Sequence, residues 1–285
     1  MSLRIGVHPN NLHLQIAALA WADAAPADVR FVRFVPYAEG RETGRRLAAR
    51  EIDLGGTGST PPLIAQAAGV PLVYVAASKP RAANGAIVVR AAAGIERVTQ
   101  LAGRRIALLD GSFHTSFLAA ALEREGLTLA DTTRVELPPA ASYDALLEGR
   151  ADAWIAMAPW IERVRAEAGW RELARIGEHV PNRSVFWAHR EVAAERAAEI
   201  AAFVAALDAL GTAIAADQAP YARRLAEAGI GGIDAAGWQA ALANRAWALD
   251  PADAALLDEQ QREADLLVRH GELPAPLDVH ATARA

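Results

Sequence analysis

Residues 51–78 read EIDLGGTGSTPPLIAQAAGVPLVYVAAS. An apolar strand, EIDL, runs into the glycines of GGTG. Ser59 or Thr60 then caps a helix whose first turn holds Pro61 and Pro62, where a missing N–H costs nothing, and Gly69 closes it. PLVYVAAS follows as a second strand, apolar throughout. Strand, glycine-marked loop, capped helix and strand in sequence form the unit of a mainly parallel sheet wound with helices.

The unit recurs on both sides. Upstream, LRIGV (3–7) is a strand, HPNN (8–11) a loop, and a helix runs through Ala17, Leu19 and Trp21 to a second strand, VRFVRFV (29–35). Downstream, the polar turn KPRAANG (79–85) interrupts the rhythm, which restarts with AIVVR, RRIALLD and the capped helix GSFHTSFLAAALEREG, opened by Ser112 and closed by Gly126. The strand TRVELP, the helix SYDALLEGR and the strand DAWIAMAP make a third unit. SVFWAH (184–189) then leads into an almost purely helical last third, where Ile200, Phe203, Val204, Leu207, Leu210 and Ile214 share one helical face. The restart predicts two lobes of α/β architecture, the second inserted into the first. Lobe I takes 1–82 plus 186–285 and lobe II takes 83–185, with hinge segments near 80–85 and 182–187.

Composition removes several classes of function. The 285 residues are 53% hydrophobic and 22% charged, with a net charge of −5, which disfavours nucleic acid as the partner. Lys79 is the only lysine among 29 basic residues. No cysteine is present, so thiol catalysis, cysteine zinc sites and disulfides are excluded. No uninterrupted apolar run reaches the ~18 residues of a membrane span. The chain opens MSLRIGV, already strand-like, which leaves both a trimmed leader and a cytosolic protein open. There is no GxxxxGK[ST], HExxH, GxSxG or EF-hand loop, GGTG is not GxGxxG, and no histidine pair has metal spacing. Neither metal nor cofactor is expected.

Three junctions remain: HPNN, TGST (57–60) and DGSFHT (110–115). In such sheets ligands lie beyond the carboxyl ends of strands, where helix N-termini present free N–H groups to anions. The candidate ligand residues are therefore His8, Asn10, Asn11, Thr57, Gly58, Ser59, Thr60, Gly111, Ser112, Phe113, His114 and Thr115. Trp160 and Trp187 would add an aromatic wall. The plain alternative for each serine is a helix cap, for His8 a ring satisfied by backbone, and for the tryptophans packing. The loops carry no Arg or Lys, which suits a monoanion such as a sulfonate or carboxylate.

The stretch 51–78 resembles the aliphatic sulfonate-binding proteins of ABC importers, relatives of the taurine and nitrate binders. The likeness continues through RRIALLDGSFHTSFLAAALEREGL, ELPPAASYDALLEGRADAWIAMAPW, NRSVFWAHRE and LDEQQREADLLVRHGELPAPLDV, in order along nearly the whole chain. It implies the two-lobed type II periplasmic-binding fold, a non-catalytic monomer outside the cytoplasm, a small organic anion between the lobes, and delivery to a membrane permease. Some positions depart from the family pattern. Asp110 and Phe113 stand where a lysine and an asparagine are common, Met157–Ala158 replaces Trp-Asp, and HPNNLH is closer to thiamin-pyrimidine-precursor proteins. Enzymes on the same fold are the alternative. A desulfinase would need the absent cysteine, and a pyrimidine synthase would need Lys79 and a histidine as reactive groups.

Overall fold

The computed structural model describes residues 2–283, and two sheets divide its elements. In the first, β1 (Leu3–Val7), β2 (Val32–Pro36), β3 (Leu54–Thr57) and β4 (Leu72–Ser78) alternate with α1 (Leu12–Ala24), α2 (Thr43–Ala48) and α3 (Thr60–Ala67). The second contains β5 (Gly85–Arg90), β6 (Arg105–Leu108), β7 (Thr133–Glu136), β8 (Ala153–Met157) and β9 (Trp170–Arg175), with α4 (Phe113–Glu123), α5 (Pro139–Leu147) and α6 (Trp160–Ala166) between them. The chain then returns. β10 (Val185–His189) and β11 (Leu249–Pro251) complete the first sheet, and α7 (Arg190–Glu195), α8 (Ala197–Ala216), α9 (Ala219–Glu227), α10 (Ala235–Ala243) and α11 (Ala254–Arg269) surround it. The strand orders are β11-β4-β10-β3-β1-β2 and β7-β6-β8-β5-β9.

The strands that run against the others follow from the crossings. β1 is parallel to β2 and β3, and β6 to β7 and β8. β4 leaves its sheet at the carboxyl end, so β5 enters the second sheet from that end and runs antiparallel to β8 and β9. β10 returns the same way, antiparallel to β3 and β4. All seven residues of β4 are buried, as a strand covered on both faces requires. The carboxyl ends of the parallel strands in the two sheets therefore face each other.

The two crossings are bound together. Ser78 N–H donates to Ser184 O (2.8 Å), Ser184 N–H to Ser78 Oγ (2.9 Å), and Arg81 N–H to Pro181 O and Asn182 O (both 3.1 Å). Gly177 N–H donates to Ala82 O, and a Cβ on Gly177 would stand 2.4 Å from that of Ala82, so only glycine lets these segments touch. The second crossing ends sooner than the expected 182–187, because Val185 already pairs with Thr57 and Ala77.

The last third is not wholly helical. β11 carries an aspartate and a proline in three residues, shows no apolar run, and exists only by pairing along the β4 edge. α8 is, by length and composition, apolar enough to cross a membrane despite Glu199 and Asp208. Here it lays Ile200, Phe203, Leu207, Leu210 and Ile214 into the core that also holds α1 and one face of the first sheet. The other face of that sheet packs under α2, α3 and α11. α11 lies across both units: Leu256, Leu257, Ala264 and Leu267 belong to the first core, and Leu266 to the core of the second sheet.

Candidate functional site

The loop after β3 meets the start of α4. A Cβ on Gly58 would stand 2.8 Å from Phe113 Cβ, so a side chain there would hold the two units apart. One turn on, Thr60 Oγ1 lies 2.7 Å from Ser116 Oγ, and both hydroxyls donate to Glu263 Oε1 on α11, at 2.7 and 2.6 Å. Ser59, 5% exposed, makes no cap bond with its side chain and instead faces the same carboxylate. Burial raises the carboxyl of Glu263, and the hydroxyls of Ser116, Ser59 and Thr60 offset part of that rise. A groove of about 690 Å³ opens beside this contact, with Arg41, Pro61 and Ile64 on one bank and Asp110, Gly111 and Glu136 on the other. Arg41 spans it, pairing with Glu136 (2.6 Å) and donating to Asp110 O (3.1 Å).

The other predicted loop residues divide between local duties and unpartnered atoms. In the second unit, Ser112 donates to Leu109 O (2.5 Å) and accepts from His114 N–H (3.2 Å), so it is a cap. His114 Nδ1 accepts Leu109 N–H (3.2 Å), and burial lowers its pKa to about 4. Thr115 donates to Asp110 Oδ1 and accepts Gly111 N–H, while Arg134 pairs with Asp110 at 2.8 Å. Asp110 is thus neutralised within its own unit rather than left to face an anion. In the first unit, His8 lies 2.9 Å from Gly56 O through Nε2, packs on Gly40 and keeps Nδ1 unpartnered; burial lowers its pKa. Asn10 is exposed. Asn11 caps α1 by accepting Leu14 N–H (3.1 Å), and its buried Nδ2 has no partner.

The two tryptophans sit in different settings. Trp187 is fully buried in the first unit and donates to Thr57 Oγ1 (3.1 Å), because the pleat of β10 turns it toward α2. Trp160 joins an aromatic group of the second unit, with ring centroids 5.7 Å from Tyr143 and 6.2 Å from Trp154.

The sequence reading missed two arginines at the same end of the first sheet. Arg81 lies in the first crossing and is 7% exposed; Arg245 precedes β11 and is 9% exposed. Arg81 donates through Nε to Asn182 O (3.2 Å) and through Nη2 to Asn182 Oδ1 (3.0 Å). Arg245 reaches Ser184 Oγ only at 3.5 Å and leaves Nε unpartnered. Burial lowers the pKa of both, that of Arg245 to about 10, and Arg245 lowers that of Arg81 further. His13 sits beside them, 1% exposed, with Nε2 3.0 Å from Trp247 O and Nδ1 unpartnered. Burial and the two guanidiniums hold His13 at a pKa of about 3. Asn182, which binds Arg81, has φ of +47°, a left-handed conformation that asparagine tolerates better than most residues. Among the described residues no group of three His, Cys, Asp or Glu side chains could hold a metal ion.

Comparison with known proteins bears on this arrangement. The model of the family described as NMT1/THI5 like matches residues 31–219. An Escherichia coli K12 protein named for binding aliphatic sulfonates is 34% identical over 142 residues, which is 50% of this chain and 44% of that one. The chain thus spans about half the length of the curated relatives it matches. Solved structures align over nearly all of it. The periplasmic aliphatic sulphonate binding protein SsuA of Escherichia coli superposes with a TM-score of 0.88 at 26% identity, covering 99% of this chain and 97% of that one. The alkanesulfonate-binding protein SsuA of Xanthomonas axonopodis pv. citri, bound to MOPS, gives 0.82 at 27% identity over the same shares.

Proposed function

We propose that this chain, which belongs to the NMT1/THI5-like family, is the solute-binding component of an ABC importer. In this reading it captures a small organic anion, an aliphatic sulfonate, and hands it to a membrane permease on the extracytoplasmic side without altering it. Lobe I (1–82 plus 186–285) and lobe II (83–185) close on the ligand about the crossings at 79–84 and 179–184. His8, Asn11, Gly58, Ser59 and Phe113 stand at the closing faces. Likeness over almost the full length to sulfonate-binding structures supports the ligand class. The observation that carries the reading is the meeting of the two sheets' carboxyl ends, where buried polar atoms of Asn11, His13 and Arg245 lack partners. Buried polar groups are ordinarily bonded, and a site awaiting its ligand is a physical reason for the exceptions.

A thermal-shift panel of alkanesulfonates, taurine, nitrate and aminopyrimidines tests it. A ligand at a hundredfold excess over its Kd adds about 2.7 kcal/mol of stability, or roughly 5–10 °C for a chain of this size. An alkanesulfonate should give that shift. A shift from an aminopyrimidine alone would move the protein to a different ligand class, and silence across the panel would overturn the transport reading.

A further inference from the structure

We propose that Arg81 and Arg245 form the seat of the ligand's anionic head, so that the charge is held at the hinge and not by the serines at the helix ends. This rests on the solute-binding reading above and assigns the atoms that read the head group.

Taking a guanidinium out of water is costly, and proteins offset that cost with a carboxylate. Several partly buried arginines of this chain follow the rule. Arg183, next to the Asn182 that Arg81 contacts, pairs with Glu259 at 2.9 Å; Arg46 pairs with Glu42 and Glu51, both at 2.8 Å; and Arg4 pairs with Asp53. Arg81 and Arg245 are more buried than any of these, yet among the described residues neither has a carboxylate within ion-pair distance. Their partners are one backbone carbonyl, one amide and, at the limit of bonding, one hydroxyl, with the Trp247 ring 5.4 Å from the Arg245 guanidinium. The like charges lie close enough to depress each other's neighbour His13, which stays neutral and so adds no third charge. Arg245 Nε and Asn11 Nδ2 are buried donors without partners at this end of the sheet, whereas neutral His13, whose Nε2–H donates to Trp247 O, has only a lone pair left at Nδ1. The missing component is negative, and it must arrive with the ligand.

The class of anion follows from the setting. The Born cost of burial grows with the square of the charge, so a dianion such as phosphate is penalised far more than a monoanion in a site this dry. A sulfonate stays singly charged at every pH the fold tolerates and offers three oxygens to planar guanidinium forks. Location adds a second consequence. Arg81 holds Asn182 of the opposite crossing by two bonds, so an anion drawn to Arg81 fastens the two hinge strands and favours closure.

Calorimetric titration with butane-1-sulfonate, together with melting of the ligand-free protein, tests the assignment. Arg245→Gln should weaken butane-1-sulfonate at least a hundredfold while ligand-free Tm stays level or rises, because an uncompensated buried charge has been removed. A purely structural arginine would give the reverse, a lower Tm with affinity intact, and that result would overturn the proposal, as would wild-type affinity within threefold. Arg245→Lys keeps the charge without the fork and should retain part of the affinity, which guards against a misfolded glutamine variant. Should wild-type protein bind no sulfonate, the ligand class fails separately from the seat. Sulfate, phosphate, propylphosphonate and butyrate are then screened. A Tm rise with one of them that Arg245→Gln abolishes retains the anion seat, and a wild type indifferent to every anion overturns it.

Discussion

Opposite faces of the first sheet bury charge in opposite ways. On the face under α3 and α11, Glu263 lies among hydroxyls from both units that bond to it, although the Tyr74 hydroxyl and the Gln260 side-chain amide on this face lack partners. On the face toward α1 and α10, Arg81 and Arg245 share a few neutral acceptors and leave donors unused. A satisfied buried charge specifies how parts fit together. An unsatisfied one is tolerated where something else completes it. The first face therefore reads as the fixed contact between units and the second as the ligand's.

If that contrast holds, stripping the donors from the satisfied face has the largest effect. Thr60→Val with Ser116→Ala leaves Glu263 buried with neither hydroxyl. Hydrogen bonds to a charged group contribute about 1.5–3 kcal/mol each, so urea unfolding at neutral pH should show a loss of about 3 kcal/mol or more. The penalty falls on the ionised form. It is felt above the raised pKa of Glu263 and fades as pH drops through it, so the variant should recover relative to wild type on acidification. A loss under about 1 kcal/mol at neutral pH would mean that the hydroxyls serve each other and not the carboxylate.

The unsatisfied face makes a pH prediction of nearly equal size. His13 has a pKa of about 3 in the fold against about 6.5 when unfolded. Below 6.5 the unfolded chain takes up a proton that the folded chain refuses, so stability falls with pH across that window. One such group costs about 1.4 kcal/mol per pH unit, or roughly 2 kcal/mol at pH 5. Other buried histidines act in the same direction, so the check is a difference: His13→Asn should remove one proton's worth of slope. An unchanged slope would place the imidazole in a wetter setting than its burial indicates.

A smaller effect separates the two kinds of arginine directly. Removing Arg183 strands Glu259, whose carboxyl is already raised by burial. Arg183→Gln should cost about 1–3 kcal/mol, the range for a lost charge-assisted bond, whereas Arg245→Gln should cost nothing without ligand. Equal losses from both would erase the distinction between paired and waiting guanidiniums.

Much of the frame was legible. The apolar run of β4 gave a strand covered on both faces, and Pro61, Pro62 and Gly69 bounded α3 where it occurs. The polar break at 79–85 marked the first crossing because no apolar period runs through it. The charge centre was not legible, for a physical reason. Arg81 reads as one polar residue in a turn, and Arg245 follows a short helix with no periodic cue; only the fold brings them beside His13, across 232 residues for the farther pair. Trp187 was misplaced by a matter of parity. Along β10, Phe186 and Trp187 point to opposite faces, and the strand's apolar run says nothing about which face is which.

The smallest predicted effect bears on the loop that first suggested an anion site. Ser112 has its hydroxyl hydrogen committed to Leu109 O and a lone pair to His114 N–H, so it has little left to offer a ligand. Its neighbour Thr115 is likewise committed to Asp110, which already answers to Arg134. Loss of a helix cap costs about 1 kcal/mol, and Ser112→Ala should lower stability by that amount while butane-1-sulfonate binds within threefold of wild type. The backbone N–H groups of α4 survive the substitution, which keeps the experiment a test of the side chain alone. A tenfold loss of affinity at unchanged Tm would return the head group to the helix end and leave the buried arginines to the hinge.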